Sequence, residues 1–133
     1  MGRLTERIAT ARRAVATLRE LADKASLTVV ERDALLQRFE YSVEAVWKAV
    51  QLHLREIEGI EVGSPKAAAR ASLQTGLLSE ADTRAALLMV EDRNLMVHTY
   101  EERLANEIAG RVPAHALLLG RWIDGVVPRL PRS

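Results

Sequence analysis

Apolar residues return every three or four positions along nearly the whole chain, a spacing that gathers them on one side of a helix and scatters them on a strand. Leu4, Ile8, Ala11, Val15, Leu18 and Ala22 follow steps of four and three. They predict a helix over roughly 3–23 with one buried face and a charged opposite face. Strict apolar/polar alternation bounded by turn residues is sustained nowhere, so the expected class is all-α.

Start and stop signals divide this pattern into elements. Thr28 with Glu31 three residues later is a capping box, and Gly59 is the matching stop. Between them Phe39, Val43, Val46, Val50 and Ile57 form the core line, widened by Trp47 and Leu54. Ser64 and Pro65 read as N-cap and first residue of a short helix ended by Gly76, and the stretch between Gly59 and Gly76 is expected to be the most mobile. Ser79 with Asp82 opens a fourth helix, while Thr99 with Glu102 repeats that pattern and predicts a break near His98. Gly110 and Pro113 are expected to divide the last helical stretch. It resumes through Ala114, Leu117, Leu118, Trp122 and Val126 and stops at Pro128, leaving 128–133 as a frayed tail. No repeat or long linker interrupts this order. The expectation is one domain, 1–133, built as an up-and-down four-helix bundle with a short extra helix.

Charge and residue usage remove several classes of function. With 19 Lys and Arg against 18 Asp and Glu, the chain lacks the positive excess of a typical nucleic-acid or anionic-membrane binder, so such binding needs a local patch. The absence of cysteine excludes disulfide frameworks, thiolate nucleophiles and Cys-bound zinc. The longest apolar run, Ala85 to Val90, falls far short of the ~20 residues that span a bilayer, and the opening residues lack a signal-peptide stretch. The expected location is the cytoplasm, with no membrane partner. The three histidines have no metal-ligand spacing, adjacent Glu91 and Asp92 point to different sides of a helix, and the glycines do not cluster. No metal, no cofactor and no nucleotide held by this chain alone are expected.

The fourth helix carries two apolar lines. Ala81, Ala85, Leu88 and Leu95 make one; Met89, Met96 and Tyr100 make the other, with Arg93 in its middle. Because the bundle core takes one line, the other is a candidate subunit interface, assigned to Met89, Arg93, Met96 and Tyr100. At ~100° per residue Tyr100 falls about 20° from Arg93, whereas His98 falls about 140° away if the helix continues. Either the helix ends near Val97 and lets His98 swing round, or a site combines residues of two chains across a symmetric contact. Such a trio is suited to metal-independent RNA cleavage, with His98 moving a proton and Arg93 neutralising the crowded phosphate. Two copies of His98 brought together would supply both acid and base.

The run Arg93-Asn94-Leu95-Met96-Val97-His98-Thr99-Tyr100 resembles the R-x4-H-x-Y signature of HEPN-type toxin subunits. From Phe39-Glu40-Tyr41-Ser42 through Glu91-Asp92-Arg93-Asn94 to His98-Thr99-Tyr100, the chain is similar to the nucleotidyltransferase substrate-binding protein family, over roughly 28–127. The resemblance implies a dimerising four-helix bundle whose partner is a separately encoded minimal nucleotidyltransferase, the two acting as a toxin–antitoxin-like (MNT/HEPT) pair. It implies that Arg93 and His98 are the ribonuclease residues where the subunit is a toxin, with Asn94, Tyr100 and Asp92 in support. It also implies Tyr100 as an acceptor of adenylyl groups. In the substrate-binding branch the subunit presents a surface to the transferase and no catalysis is implied.

Local charge bears on the choice. From Ser79 to Gly110 seven acidic residues stand against three basic ones, a poor surface for RNA, whereas the first 25 and last 25 residues each carry a net charge of plus three. The leading expectation is therefore a partner subunit centred on Arg93, His98 and Tyr100. The alternatives are a ribonuclease toxin using Arg93 and His98 across a homodimer, with RNA as partner, and a helical interaction module unconnected with nucleotidyl transfer. Among the remaining residues His53, Trp47 and Trp122 are expected in the core, and His115, in the first turn after Pro113, in solvent.

Overall fold

The computed structural model describes residues 2–98 and 101–126, and the side chains of all of these except Val97 and His98. The described residues form five helices and no strand: α1 (Gly2–Ala22), α2 (Val29–Glu56), α3 (Pro65–Gln74), α4 (Glu80–His98) and α5 (Glu102–Val126). The helix starts follow the capping chemistry. Thr28 Oγ1 accepts from the Glu31 backbone at 3.1 Å while the Glu31 carboxylate accepts from the Thr28 backbone at 2.9 Å. Ser64 Oγ and Ser79 Oγ accept from Ala67 and Asp82 backbone N–H groups, each at 3.1 Å. At the end of α2, Gly59 takes φ +71°, the left-handed region, which lets the Ile60 N–H return to the Leu54 carbonyl at 2.8 Å.

Helices α1, α2, α4 and α5 pack into the expected up-and-down bundle, and α3 lies against α2 and α4. The predicted line Leu4, Ile8, Ala11, Val15, Leu18 and Ala22 is buried throughout, as are Phe39, Val43, Val46, Trp47, Val50 and Leu54. The segment from Gly59 to Gly76 is anchored, contrary to the expectation of mobility. Ala68, Ala69, Ala71 and Ser72 are buried, and Ser72 Oγ accepts from the indole N–H of fully buried Trp122 at 2.9 Å. That hydroxyl in turn donates to the Ala68 carbonyl at 2.7 Å, so the one polar atom of Trp122 is satisfied by α3.

Two other expectations are corrected. Gly110 and Pro113 do not divide the last helix; α5 runs unbroken with Pro113 inside it. An interior proline costs about 3 kcal/mol. Beyond it, however, Ala116, Leu119, Trp122, Ile123 and Val126 continue the buried face of Ala105, Ile108 and Val112 in register. Each large apolar side chain so buried contributes roughly 1.5–3 kcal/mol, which outweighs the local penalty. On α4 the two apolar lines exchange roles. Met89, assigned to a subunit interface, is fully buried in the chain's own core, and Met96 packs against that core. Leu88 and Leu95 of the other line are exposed at 62% and 45%. None of the helices among the described residues is long and apolar enough to cross a membrane.

Candidate functional site

Arg93 and Asp92 are neighbours on α4, so their side chains leave the helix about 100° apart and reach different partners. Arg93 turns toward α2. Its Nη2 donates to Glu44 Oε2 at 2.8 Å and its Nη1 to the adjacent Asn94 Oδ1 at 3.2 Å. Glu44 Oε2 also accepts from Trp47 Nε1 at 3.2 Å, and Lys48 Nζ stands 3.5 Å from Glu44 Oε1. The carboxylate therefore fixes the guanidinium by one edge. Arg93 Nε is buried with no hydrogen-bond partner, yet the side chain keeps 24% exposure. The exposed part of the guanidinium is therefore not Nε, and a guanidinium fork of this kind has the geometry to pair with phosphate or carboxylate oxygens.

Asp92 turns toward α5 and is buried. Arg111 grips it through both carboxylate oxygens, Nε to Oδ2 and Nη2 to Oδ1, each at 2.8 Å, and His115 Nε2 lies 2.8 Å from Oδ2. His115 stacks on Phe39, the ring centroids 5.3 Å apart. Burial pushes the Asp92 carboxyl up, but the bonds from Arg111 and then His115 push it down further, and its pKa lies below the ordinary value. The same Asp92 bond raises the Arg111 pKa. This cluster floors one side of a groove of about 420 Å³ between α4 and α5, lined also by Leu88, Leu95, Leu118 and Arg121. His115 is thus buried and bonded, not solvated, because α5 continues through Pro113 and carries it inward. A signal existed: Arg111 and His115 are four apart and share a helix face, which favours a common acidic partner.

Of the predicted site residues, the structure brings together Arg93 and Asn94 and directs Asp92 elsewhere. His98 is the last residue of α4, which places the helix end at the predicted break; its side chain, and the whole of Tyr100, lie outside the described residues. His53 is completely buried, as expected, with Nε2 4.0 Å from Glu58 Oε1. Glu44, which orients Arg93, carried no sequence signal, since its partner lies on another helix. Among the described residues no group of three or more His, Asp or Glu side chains could hold a metal ion.

A protein of Thermus thermophilus is 50% identical and superposes with a TM-score of 0.80, over 92% of this chain and 99% of that one. The tri-AMPylated HEPN toxin of Shewanella oneidensis, solved in complex with its MNT antitoxin, has a TM-score of 0.77 at 20% identity, over 94% and 96%. A toxin–antitoxin MntA–HpeT structure gives 0.76 at 19%, over 94% and 97%. At such identities the last two speak for the fold. A comparison with curated proteins gives no match. The family model for nucleotidyltransferase substrate binding protein like chains matches residues 6–125, nearly the whole molecule, and this protein belongs to that family.

Proposed function

We propose that the chain is the HEPN-type partner subunit of a separately encoded minimal nucleotidyltransferase, working in a cytoplasmic pair of toxin–antitoxin type. The observation that carries this reading is the position of the R-x4-H-x-Y run. It begins at Arg93, held at the α2–α4 contact by Glu44, and reaches His98 at the end of α4, in a chain of the substrate-binding family. The Shewanella complex pairs a HEPN toxin that carries AMP groups with an MNT protein, which supports adenylylation as the transferred chemistry. Tyr100 is the proposed acceptor. Its phenolic oxygen attacks the α-phosphorus of ATP on the partner, pyrophosphate leaves and the phenol proton passes to solvent or a base. The test is co-purification with the transferase from the neighbouring reading frame, then intact-mass measurement after ATP. Gain of one or more adenylyl units by the wild type and none by Tyr100→Phe is expected. An unshifted wild-type mass with an active transferase removes the acceptor role, and absence of a complex removes the partner.

The second reading is a ribonuclease toxin with Arg93 and His98 as catalytic residues across a homodimer. The partly exposed guanidinium of Arg93, braced by Glu44, favours it. RNA cleavage leaving 2′,3′-cyclic ends, lost in His98→Ala, is its expected signature. For self-association the face available is the exposed line Leu88 and Leu95 beside the α4–α5 groove, not Met89.

A further inference from the structure

We infer that a cleft between the start of α1 and the second half of α2 binds the phosphate chain of a small oligophosphate, such as a free nucleoside triphosphate. The cleft, of about 190 Å³, is lined by Arg3 and Arg7 of α1, Lys48, Gln51, Leu52 and Arg55 of α2, and Glu61 and Val62 of the loop that follows. Four cations thus converge there against a single carboxylate. Arg3 and Arg7 are four apart on one helix face, an arrangement of like charges that weakens a helix. Among the described residues neither has an acidic partner within ion-pair distance. Arg55 has only Glu61, at 3.7 Å, and Lys48 only Glu44, at 3.5 Å. Folding therefore leaves Arg3 and Arg7 without a carboxylate partner among the described residues and the cluster with a net positive charge, which is the condition an anionic ligand relieves.

The cleft has fixed walls. Leu52 is buried, and Gln51 Nε2 donates to the Val62 carbonyl at 2.8 Å, tying the loop to α2. The turn that starts this loop is set by Gly59 and the Ile60-to-Leu54 bond. Lys48 and Arg55 are seven residues apart on α2, about 10 Å along the axis, so the cations are spread over more than one tetrahedral anion can touch. A run of two or three linked phosphates spans them with charge-assisted bonds from several sides. Recognition here rests on side chains, which explains why no glycine-rich phosphate loop appears in the sequence. The inference does not depend on the role of Arg93 or Tyr100.

Calorimetric titration of the purified full chain with inorganic tripolyphosphate tests it. One tripolyphosphate per chain is expected, with binding weakened at least about tenfold in Arg3→Gln/Arg7→Gln. Full affinity is expected in Arg70→Gln/Arg84→Gln, which removes two charges elsewhere; thermal melting confirms that both variants are folded. ATP binding as tightly as tripolyphosphate, or tighter, identifies a nucleotide as an acceptable source of the phosphates. Equal loss of affinity in both double variants overturns the site, because it shows only general charge. So does binding of single-stranded oligouridylate without binding of tripolyphosphate, or no binding of either.

Discussion

Replacing Asp92 by Asn keeps the side-chain shape and removes the charge that Arg111 and His115 converge on. In the wild type the carboxylate accepts from Arg111 twice and lies against His115, all at 2.8 Å, with the Asp92 side chain 9% exposed and the Arg111 side chain 49% exposed. Breaking a fully buried ion pair costs about 3–5 kcal/mol. Half-exposed Arg111 regains water once released, so part of that cost is recovered, and a loss of about 2–3 kcal/mol is expected. With an unfolding entropy of about 2.1 cal/mol/K per residue, this corresponds to roughly 7–11 °C in Tm for a chain of this length. Urea denaturation at pH 7 reads the difference as a lower midpoint at unchanged slope. Because the folded carboxyl titrates below its ordinary value, its stabilisation is complete above the unfolded value of about 3.9. It is lost as the pH falls through the lower folded value, and the gap between wild type and Asp92→Asn closes there. The reasoning is refuted if Asp92→Asn lies within about 0.5 kcal/mol of wild type at pH 7. A double-mutant cycle with Arg111→Met showing no coupling would refute it equally.

Ser72→Ala removes the hydroxyl that accepts from the Trp122 indole and leaves a buried N–H unpaired, so a loss of about 1–3 kcal/mol is expected by chemical denaturation. Thr28→Ala dismantles the α2 capping box and is expected to lower stability by about 1 kcal/mol; Thr28→Asn, another good N-cap, is expected to retain most of it. Leu88→Glu/Leu95→Glu places charge on the exposed line of α4 while leaving Met89 in the core. On the self-association proposed above, light scattering is expected to show its loss with unchanged helical content, and an undisturbed oligomer would move the contact to another face.

The outline of the molecule was legible because its signals are local. The capping residues Thr28, Ser64 and Ser79, the left-handed turns at Gly59 and Gly76 and the apolar line of α1 each act within a few residues of themselves. The motif was readable for the same reason, as a short run of eight consecutive residues. Pro113 misled because its local penalty is real, and only the burial of the residues beyond it shows that the penalty is overcome.

By itself, then, the order of residues determined the class, the capped helix starts and the family signature from Arg93 to Tyr100, but not the continuity of α5 through Pro113. Tertiary packing alone decided which line of α4 faces inward, since a helix apolar on two sides has no internal preference between them and its neighbours choose. It also decided that Arg93 is braced by Glu44 while Asp92 is gripped by Arg111 and His115. Those partners lie on other helices, and the Coulomb and hydrogen-bond terms that join them depend on distance in space, which spacing along one helix does not encode.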